Sequence, residues 1–240
     1  MKLLQQSTKY ELVGFYDASK EASEQIETEF GYKSFPTMES IINACDMVVV
    51  VTPTSTHFEC AEKVLKAGKH LFIEKPITQT VAEAEQIRDL AKEMKVRGQV
   101  GQVERFNPAF QAIKDKINNP MFIETHRLVE FNPRGTDVSV VLDLMIHDID
   151  AILSVVKSPV KAVSASGVSV ISETPDIANA RIEFENGCVA NLTASRISLK
   201  KMRKARFFQR DAYISVDFLE KKCEVVKMKD APKEIDDFAM

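Results

Sequence analysis

Residues 46–76 have the sequence DMVVVVTPTSTHFECAEKVLKAGKHLFIEKP, and this stretch decides the fold. Its first part, Asp46 to Val51, is a continuous apolar run of the kind found in strands buried on both faces. Ser55 to Ala67 follows as a helix that ends at Gly68, and Lys69 to Ile73 forms the next strand. Because a helix usually connects the two strands of a parallel pair, the stretch predicts a β-α-β unit.

The same alternation of short apolar runs and helical stretches extends from Leu12 to about Ile117. Leu12 to Asp17 is predicted to be a strand that ends in an acid, and Ser19 to Phe30 a helix capped by Ser19 and stopped near Gly31. The pattern therefore predicts an α/β, Rossmann-like parallel sheet over residues 1–118. Its further predicted elements are the helices Met38–Ala44, Thr78–Met94 with Thr80 as a cap, and Pro108–Ile117, and a strand that begins at Val100.

The character of the chain changes after Asn118-Asn119-Pro120, where we place a domain boundary. Residues 119–240 contain longer runs rich in β-branched and aromatic side chains, which predict a mainly antiparallel sheet. Glu185-Asn186-Gly187 is predicted to be a hairpin turn between two of the strands. One helix, Val138 to Val156, interrupts the β-rich pattern, so the second domain is predicted to be α+β.

Composition excludes several classes of protein. Hydrophobic residues at 45% and charged residues at 28% are ordinary for a globular protein, and the longest apolar run is far too short to span a bilayer. The four cysteines form no C-x-x-C pair and the N-terminal residues carry no apolar secretory segment, which favours a reducing cytoplasm. A net charge of −3 gives no general attraction to nucleic acid, and no membrane partner is expected.

Two residues capable of proton chemistry share one face of the predicted helix. Asp143 and His147 are four positions apart, so their side chains project from the same side. An imidazole titrates near neutral pH and can accept a proton, although a histidine in an apolar helix is more often a satisfied core residue. Asp143 could bond a substrate, orient the histidine or simply be solvated. No second histidine cluster supports a metal site, so no metal is expected.

Four motifs in order carry a resemblance to a known family. They are TPTSTH at 52–57, EKP at 74–76, GQVERFNP at 101–108 and LDLMIHDID at 142–150. With them the chain resembles the Gfo/Idh/MocA family, the glucose-fructose oxidoreductases and inositol dehydrogenases, over nearly all of its length. The resemblance implies a Rossmann domain paired with an open-faced sheet domain, a nicotinamide cofactor, and hydride transfer at a hydroxyl carbon of a sugar or polyol. The last two motifs are most similar to members that act on UDP-N-acetylhexosamines, which implies a nucleotide sugar.

The resemblance also implies roles for individual residues. Lys75 would stabilise the reacting oxygen, His147 would accept the hydroxyl proton and Asp143 would assist; a surface lysine is the alternative for Lys75. The family has a sharp turn at this lysine, which implies a cis peptide bond between Lys75 and Pro76. Asp17 would bond the adenosine ribose, which favours NAD over NADP, or else only begin the following helix. The other expected cofactor contacts are Thr52, Pro53, Thr54, Glu74, Lys75 and Pro76; a plain turn is the alternative for the first three, and a structural hydrogen-bonding role is the alternative for Glu74. The expected substrate contacts are Arg105 and Arg127, for which surface salt bridging is an equal alternative.

The chain departs from the family pattern in one respect. It contains no Gly-x-Gly-x-x-Gly loop, whose backbone N–H groups hold a dinucleotide pyrophosphate at a helix N-terminus. We therefore expect a Rossmann-like domain that is incomplete at its N-terminus, and a second domain that is incomplete at its C-terminus. The missing loop favours one alternative function, a catalytically silent binding or scaffold protein on the same fold. A homo-oligomer is expected in either case.

Overall fold

A three-stranded parallel sheet forms the centre of Met1–Gly101 in the computed structural model, which describes residues 1–132 and 138–227. Its strands are β1 (Met47–Val50), β2 (His70–Ile73) and β3 (Gly98–Val100), in that spatial order. Helix α4 (Thr54–Lys66) connects β1 to β2, which confirms the predicted β-α-β unit. The other helices of this unit are α1 (Lys2–Gln5), α2 (Lys20–Phe30), α3 (Met38–Ala44) and α5 (Val81–Glu93).

Apolar side chains from α4 pack against this sheet. Val64 and Leu65 of α4 are fully buried, and Ile73 of β2 lies in the same core cluster. The predicted helix ends are confirmed at two places. Thr80 accepts the N–H of Glu83 and begins α5, and Gly31 ends α2 in the left-handed region with a φ of 68°.

The predicted strand Leu12 to Asp17 is reduced to a single bridge. Phe15 pairs in parallel with Ser34, and no further ladder forms along this segment. Gly14 has a φ of 158°, and a Cβ at this position would lie 2.4 Å from the Lys33 carbonyl oxygen. The backbone around Lys33 and Ser34 therefore approaches this segment closely on one side, and no described strand pairs with its other side.

A seven-stranded sheet organises the chain from Gln102 onward, within the described residues. Strand β4 lies at the centre of the order β10-β9-β8-β4-β7-β6-β5, parallel to β7 and antiparallel to β8. The other pairs are antiparallel, so the mainly antiparallel sheet is confirmed. The strands are β4 (Phe122–Leu128), β5 (Val160–Val168), β6 (Ile177–Phe184), β7 (Val189–Ser195), β8 (Met202–Gln209), β9 (Ala212–Asp217) and β10 (Lys222–Lys227).

Among the described residues, two α-helices accompany this sheet, α6 (Pro108–Ile113) and α7 (Ile146–Val155). Short 3₁₀ turns occupy Val103–Phe106 and Lys114–Lys116, and a π-helical turn, Val141–Met145, leads directly into α7. One core cluster joins the helices to the sheet, with Phe110, Ile152 and Phe207 all nearly or fully buried.

The chain divides into two compact units between Gly101 and Gln102, earlier in the sequence than the boundary at residue 118 expected from composition. The difference arises because Phe110 and Ile113 of α6 belong to the core of the second unit. Asn118-Asn119-Pro120 is therefore a turn inside that unit, between α6 and β4. In the part of the chain that the structure describes, no helix is both long and apolar enough to cross a membrane.

Candidate active site

The carboxyl ends of the three parallel strands lie at one edge of the first sheet, because Val50 is in register with Ile73 and Ile73 with Val100. Open α/β sheets bind their ligands at this edge. The residues that follow the strands include most of those expected to contact the cofactor: Thr52, Pro53 and Thr54 after β1, Glu74, Lys75 and Pro76 after β2, and Gly101 after β3.

His57 connects the first two of these loops. Its Nδ1 lies 2.8 Å from the Pro76 carbonyl oxygen and its Nε2 lies 2.8 Å from the Thr52 carbonyl oxygen. The side chain lies in the first turns of α4 and is 1% exposed. A neutral imidazole carries only one N–H, so it can donate to one of these oxygens, and a ring with both protons can donate to both. The sequence alone does not reveal this link, because the bond to Pro76 joins residues that are 19 positions apart in the chain.

The loop after β2 has the geometry that the family motif implies. The Lys75–Pro76 peptide bond is cis, which confirms that prediction. The Lys75 N–H lies 3.3 Å from Glu74 Oε2 and donates to it. A Cβ at Gly101 would lie 2.9 Å from the same oxygen, so the glycine makes room for the Glu74 carboxylate at the edge of the sheet. Glu74 and Lys75 are both half-buried there.

Asp17 forms a local contact in the structure. Its Oδ1 accepts the Ser19 N–H at 2.8 Å, while the Ser19 side chain accepts the Ala22 N–H and caps α2. This contact matches the helix-start alternative for Asp17. The ribose contact stays a prediction, and the two roles are compatible because a carboxylate has four lone-pair sites.

The described residues fit part of a nicotinamide dinucleotide. The loops after β1 and β2 offer hydroxyl, carbonyl and carboxylate groups at the ligand edge, and Gly101 keeps that edge open beside Glu74. The pyrophosphate has no counterpart of this kind in the sequence, since Gly-x-Gly-x-x-Gly is absent. Gly14, the first glycine, instead allows the close approach of the Lys33 backbone.

Asp143 and His147 lie on consecutive helical turns of two different kinds. Asp143 is inside the π-helical turn and His147 is in the first turn of α7, whereas the sequence predicted one regular helix over Val138–Val156. The pattern of apolar residues cannot reveal a single π turn, and such turns occur frequently at functional sites. Both side chains are half-buried.

Arg127 has a different environment from the substrate contact expected of it. Its Nη2 and Nε donate to the Asp148 carboxylate at 2.7 to 3.2 Å, and its Nη1 donates to Glu104 at 2.9 Å. The Arg127 side chain is 2% exposed, and its guanidinium also lies over the Phe218 ring. Burial raises the pKa of Asp148, and the Arg127 charge opposes that rise. Arg127 therefore forms salt bridges with protein carboxylates, but these are buried, whereas the alternative expected from the sequence was a surface salt bridge.

Arg105 also pairs with helix α7, but closer to solvent. Its Nε and Nη2 donate to the two Asp150 oxygens at 2.6 Å each, and the hydrogen bonds to Asp150 raise the pKa of Arg105. The Arg105 side chain is 49% exposed, so part of it lies within reach of a ligand. No group of three or more metal-binding side chains was found in residues 1–132 and 138–227.

Comparisons with known proteins identify the family. Residues 1–102 match the model described as "Oxidoreductase family, NAD-binding Rossmann fold", and residues 89–214 match the GFO/IDH/MocA C-terminal domain. UDP-N-acetylglucosamine 3-dehydrogenase of Acidithiobacillus ferrooxidans is 38% identical over 87% of this chain and 67% of its own length. The solved structure of that enzyme has a TM-score of 0.86, at 36% identity, over 90% of this chain and 72% of its own.

A second relative is the NAD(+)-dependent scyllo-inositol 2-dehydrogenase of Bacillus subtilis, which is 28% identical over 78% of this chain and 60% of its own length. The chain thus spans between 60% and 72% of the length of these relatives. The family models together cover residues 1–214 and include the loops and helices that carry the candidate residues. This chain belongs to the Gfo/Idh/MocA family of oxidoreductases.

Proposed function

We propose that this protein is a NAD-dependent dehydrogenase that oxidises a hydroxyl carbon of a nucleotide sugar, with UDP-N-acetylglucosamine as the first substrate to test. One observation carries the proposal: His57 joins the loops after β1 and β2, so the residues around Thr52 and Lys75 form one continuous lining at the ligand edge of a parallel sheet. The substrate class is supported by the 38% identity to an enzyme with that name.

A bound nicotinamide supplies the chemistry of hydride transfer. His147 takes the proton of the substrate hydroxyl, because an imidazole is basic enough near neutral pH to accept it as the hydride leaves. Lys75 donates a hydrogen bond to the same oxygen and stabilises the charge that develops there. Asp143 orients His147 or bonds the substrate. Glu74 lies on the side of the site that faces the nicotinamide.

Several finer points belong to the same proposal. NAD is preferred to NADP because the Asp17 carboxylate repels a 2′-phosphate. Arg105 contacts the substrate with the part of its side chain that Asp150 leaves exposed. The protein acts in the cytoplasm, since its four cysteines, all in the described residues, form no disulfide. It acts as a homo-oligomer, without nucleic-acid or membrane partners.

One observation favours a second function, a binding or scaffold protein without turnover. The sequence lacks the glycine loop that holds a pyrophosphate, while Asp143, His147 and Lys75 are retained. A scaffold would bind the sugar nucleotide and release it unchanged. Retention of the three candidate catalytic residues supports the dehydrogenase instead.

The test is NADH formation from UDP-N-acetylglucosamine and NAD. Lys75→Ala and His147→Ala are each expected to lower kcat by about 100-fold or more with folding intact, and Asp143→Asn to lower it less. Lys69→Ala is the matched control, because Lys69 precedes the opposite end of the same strand. Binding of the sugar nucleotide with no turnover would favour the scaffold, and near-wild-type turnover by His147→Ala would place the base elsewhere.

A further inference from the structure

We propose that Arg127 and Arg196, which form buried ion pairs with Asp148 and Asp176, are positioning residues that hold residues 138–155 at their start and immediately after His147. We call these residues the His147 segment, because they carry the proton acceptor of the proposed function. The inference rests on that function for its catalytic meaning. The segment needs external support because its first helical part, Val141–Met145, is a π turn, a rare and less regular form of helix.

The first clamp holds the segment immediately after His147. Asp148 is the next residue, and three N–H···O contacts join its carboxylate to Arg127. Arg127 belongs to β4, the central strand of the seven-stranded sheet, so the anchor is a rigid element. The planar guanidinium fixes direction as well as distance, because the two N–H groups that meet a carboxylate are parallel.

The second clamp holds the beginning of the segment. Arg196 Nη2 donates to the Val138 carbonyl at 2.7 Å and to the Pro175 carbonyl at 3.0 Å, and the Val140 N–H donates to the same Pro175 oxygen. Arg196 follows β7 directly, and its Nε lies 3.5 Å from the Asp176 carboxylate. These contacts attach the start of the His147 segment to the end of a strand beside β4.

Asp176 is itself held in a fixed position. Its Oδ2 accepts three consecutive backbone N–H groups, from Val170, Ile171 and Ser172, at 2.7 to 2.9 Å. These hydrogen bonds hold the pKa of Asp176 well below its usual range. The carboxylate is fully buried and ionised at neutral pH, so it presents a permanent charge to Arg196.

Two buried ion pairs are a costly way to build a core. Removing such charges from water costs free energy that their attraction only partly returns, and apolar residues of similar volume are often as stable or more so. Arg127–Asp148 and Arg196–Asp176 are both less than 5% exposed, and both act on the His147 segment. We infer that they are placed there for geometry, since stability alone does not require them.

The test separates geometry from stability. In the triple variant Arg127→Met/Asp148→Leu/Glu104→Leu, the three buried charges of the cluster become apolar, and the partly exposed Arg203, 3.8 Å from Glu104, stays charged at its edge. We expect a melting temperature close to that of the wild type, a kcat lower by about 100-fold and a KM within a few-fold, because a small displacement of a catalytic group has this effect on rate. The control Arg206→Met/Glu124→Leu removes a partly exposed pair on β8 and β4 and should leave kcat unchanged.

A second readout does not depend on turnover. The His147 ring signal can be assigned by NMR from its loss in His147→Gln, since the chain has only four histidines. We expect one sharp His147 signal in the wild type and in the Arg206 control, and several or broadened signals in the triple variant. A folded triple variant with an unchanged His147 signal and unchanged kcat would overturn the proposal.

Two further variants keep the test decisive. If the triple variant does not fold, Arg127→Lys keeps the positive charge but loses the planar guanidinium with its parallel N–H groups. Arg196→Lys makes the same change at the start of the segment. Wild-type His147 signals and a wild-type kcat in both variants would overturn the proposal. If the wild type turns over no sugar nucleotide, the proposed function fails, and the NMR result alone still decides whether the clamps position His147.

Discussion

Replacing Arg127 alone should destabilise the second unit strongly. Arg127→Met keeps most of the side-chain volume but leaves the buried Asp148 carboxylate without its ion-pair partner, and leaves Glu104 with only the more distant Arg203, at 3.8 Å. Four N–H···O contacts are lost, three to Asp148 and one to Glu104. Breaking a buried pair by removing one partner costs about 3–5 kcal/mol, most of it from the charge left behind.

The matched control is Arg206→Met, which removes the ion pair between Arg206 of β8 and Glu124 of the neighbouring strand β4. Arg206 and Glu124 lie 2.9 Å apart and are 30% and 38% exposed, so solvent screens the pair and its loss should cost at most about 1 kcal/mol. The two variants should therefore differ by about 3 kcal/mol. That difference corresponds to more than about a 100-fold change in the unfolding equilibrium.

The difference in unfolding free energy between the two variants can be measured by urea denaturation. Hydrogen exchange in peptides from β4 and α7 monitors the unfolding, so the result refers to the second unit itself. Adding Asp148→Leu and Glu104→Leu to Arg127→Met should recover most of the lost stability, because no buried charge is then left uncompensated and Arg203, which also pairs with Glu104, is 42% exposed to solvent. If Arg127→Met destabilised these peptides no more than Arg206→Met, the buried cluster would not hold two ionised carboxylates and the reasoning would fail.

Three further outcomes are expected. Gly14→Ala should destabilise the first unit by about 1–3 kcal/mol in urea, because its Cβ would meet the Lys33 carbonyl, whereas Gly98→Ala, with no atom within 4 Å, should change little. Asp17→Ser should lower the ratio of the NADP dissociation constant to the NAD dissociation constant, measured by calorimetry, because the carboxylate that repels the 2′-phosphate is gone. Since the pKa of Asp176 is lowered in the folded state, its stabilisation is complete above about pH 4 and is lost as the pH falls, so Asp176→Asn should flatten the acid side of a Tm–pH curve.

Local chemistry made much of the first unit predictable from its sequence. The run of valines in β1 and the cap at Thr80 depend on neighbours a few residues away, and both agree with the structure. The strand expected at Leu12 to Asp17 failed for a non-local reason. Its residues suit a strand, but a strand also needs a neighbouring segment with which it can form a continuous ladder, and the Lys33 to Phe35 backbone pairs with it only around the Phe15–Ser34 bridge.

The environment of Arg127 was missed although the sequence contained a signal. Along β4 the residues alternate in burial, and Arg127 is in phase with Ile123 on the buried face. A charged residue in such a position requires a buried partner of opposite sign, and Asp148, beside the candidate base, was available. What the sequence could not supply was the distance between the two elements, which depends on the packing of α7 against the sheet.

The two units hold their candidate residues by different interactions, and the difference has consequences. In the first unit, His57 and backbone carbonyls join the loops, so the lining around Lys75 depends on hydrogen bonds to carbonyl oxygens. In the second unit, buried ion pairs hold the His147 segment. Buried pairs are only weakly screened by salt, so His147 should keep its position over a wide range of ionic strength. Acid is a different perturbation, because a protonated Asp176 accepts its three N–H groups less strongly and no longer carries the charge that attracts Arg196, so the start of the segment is held less firmly.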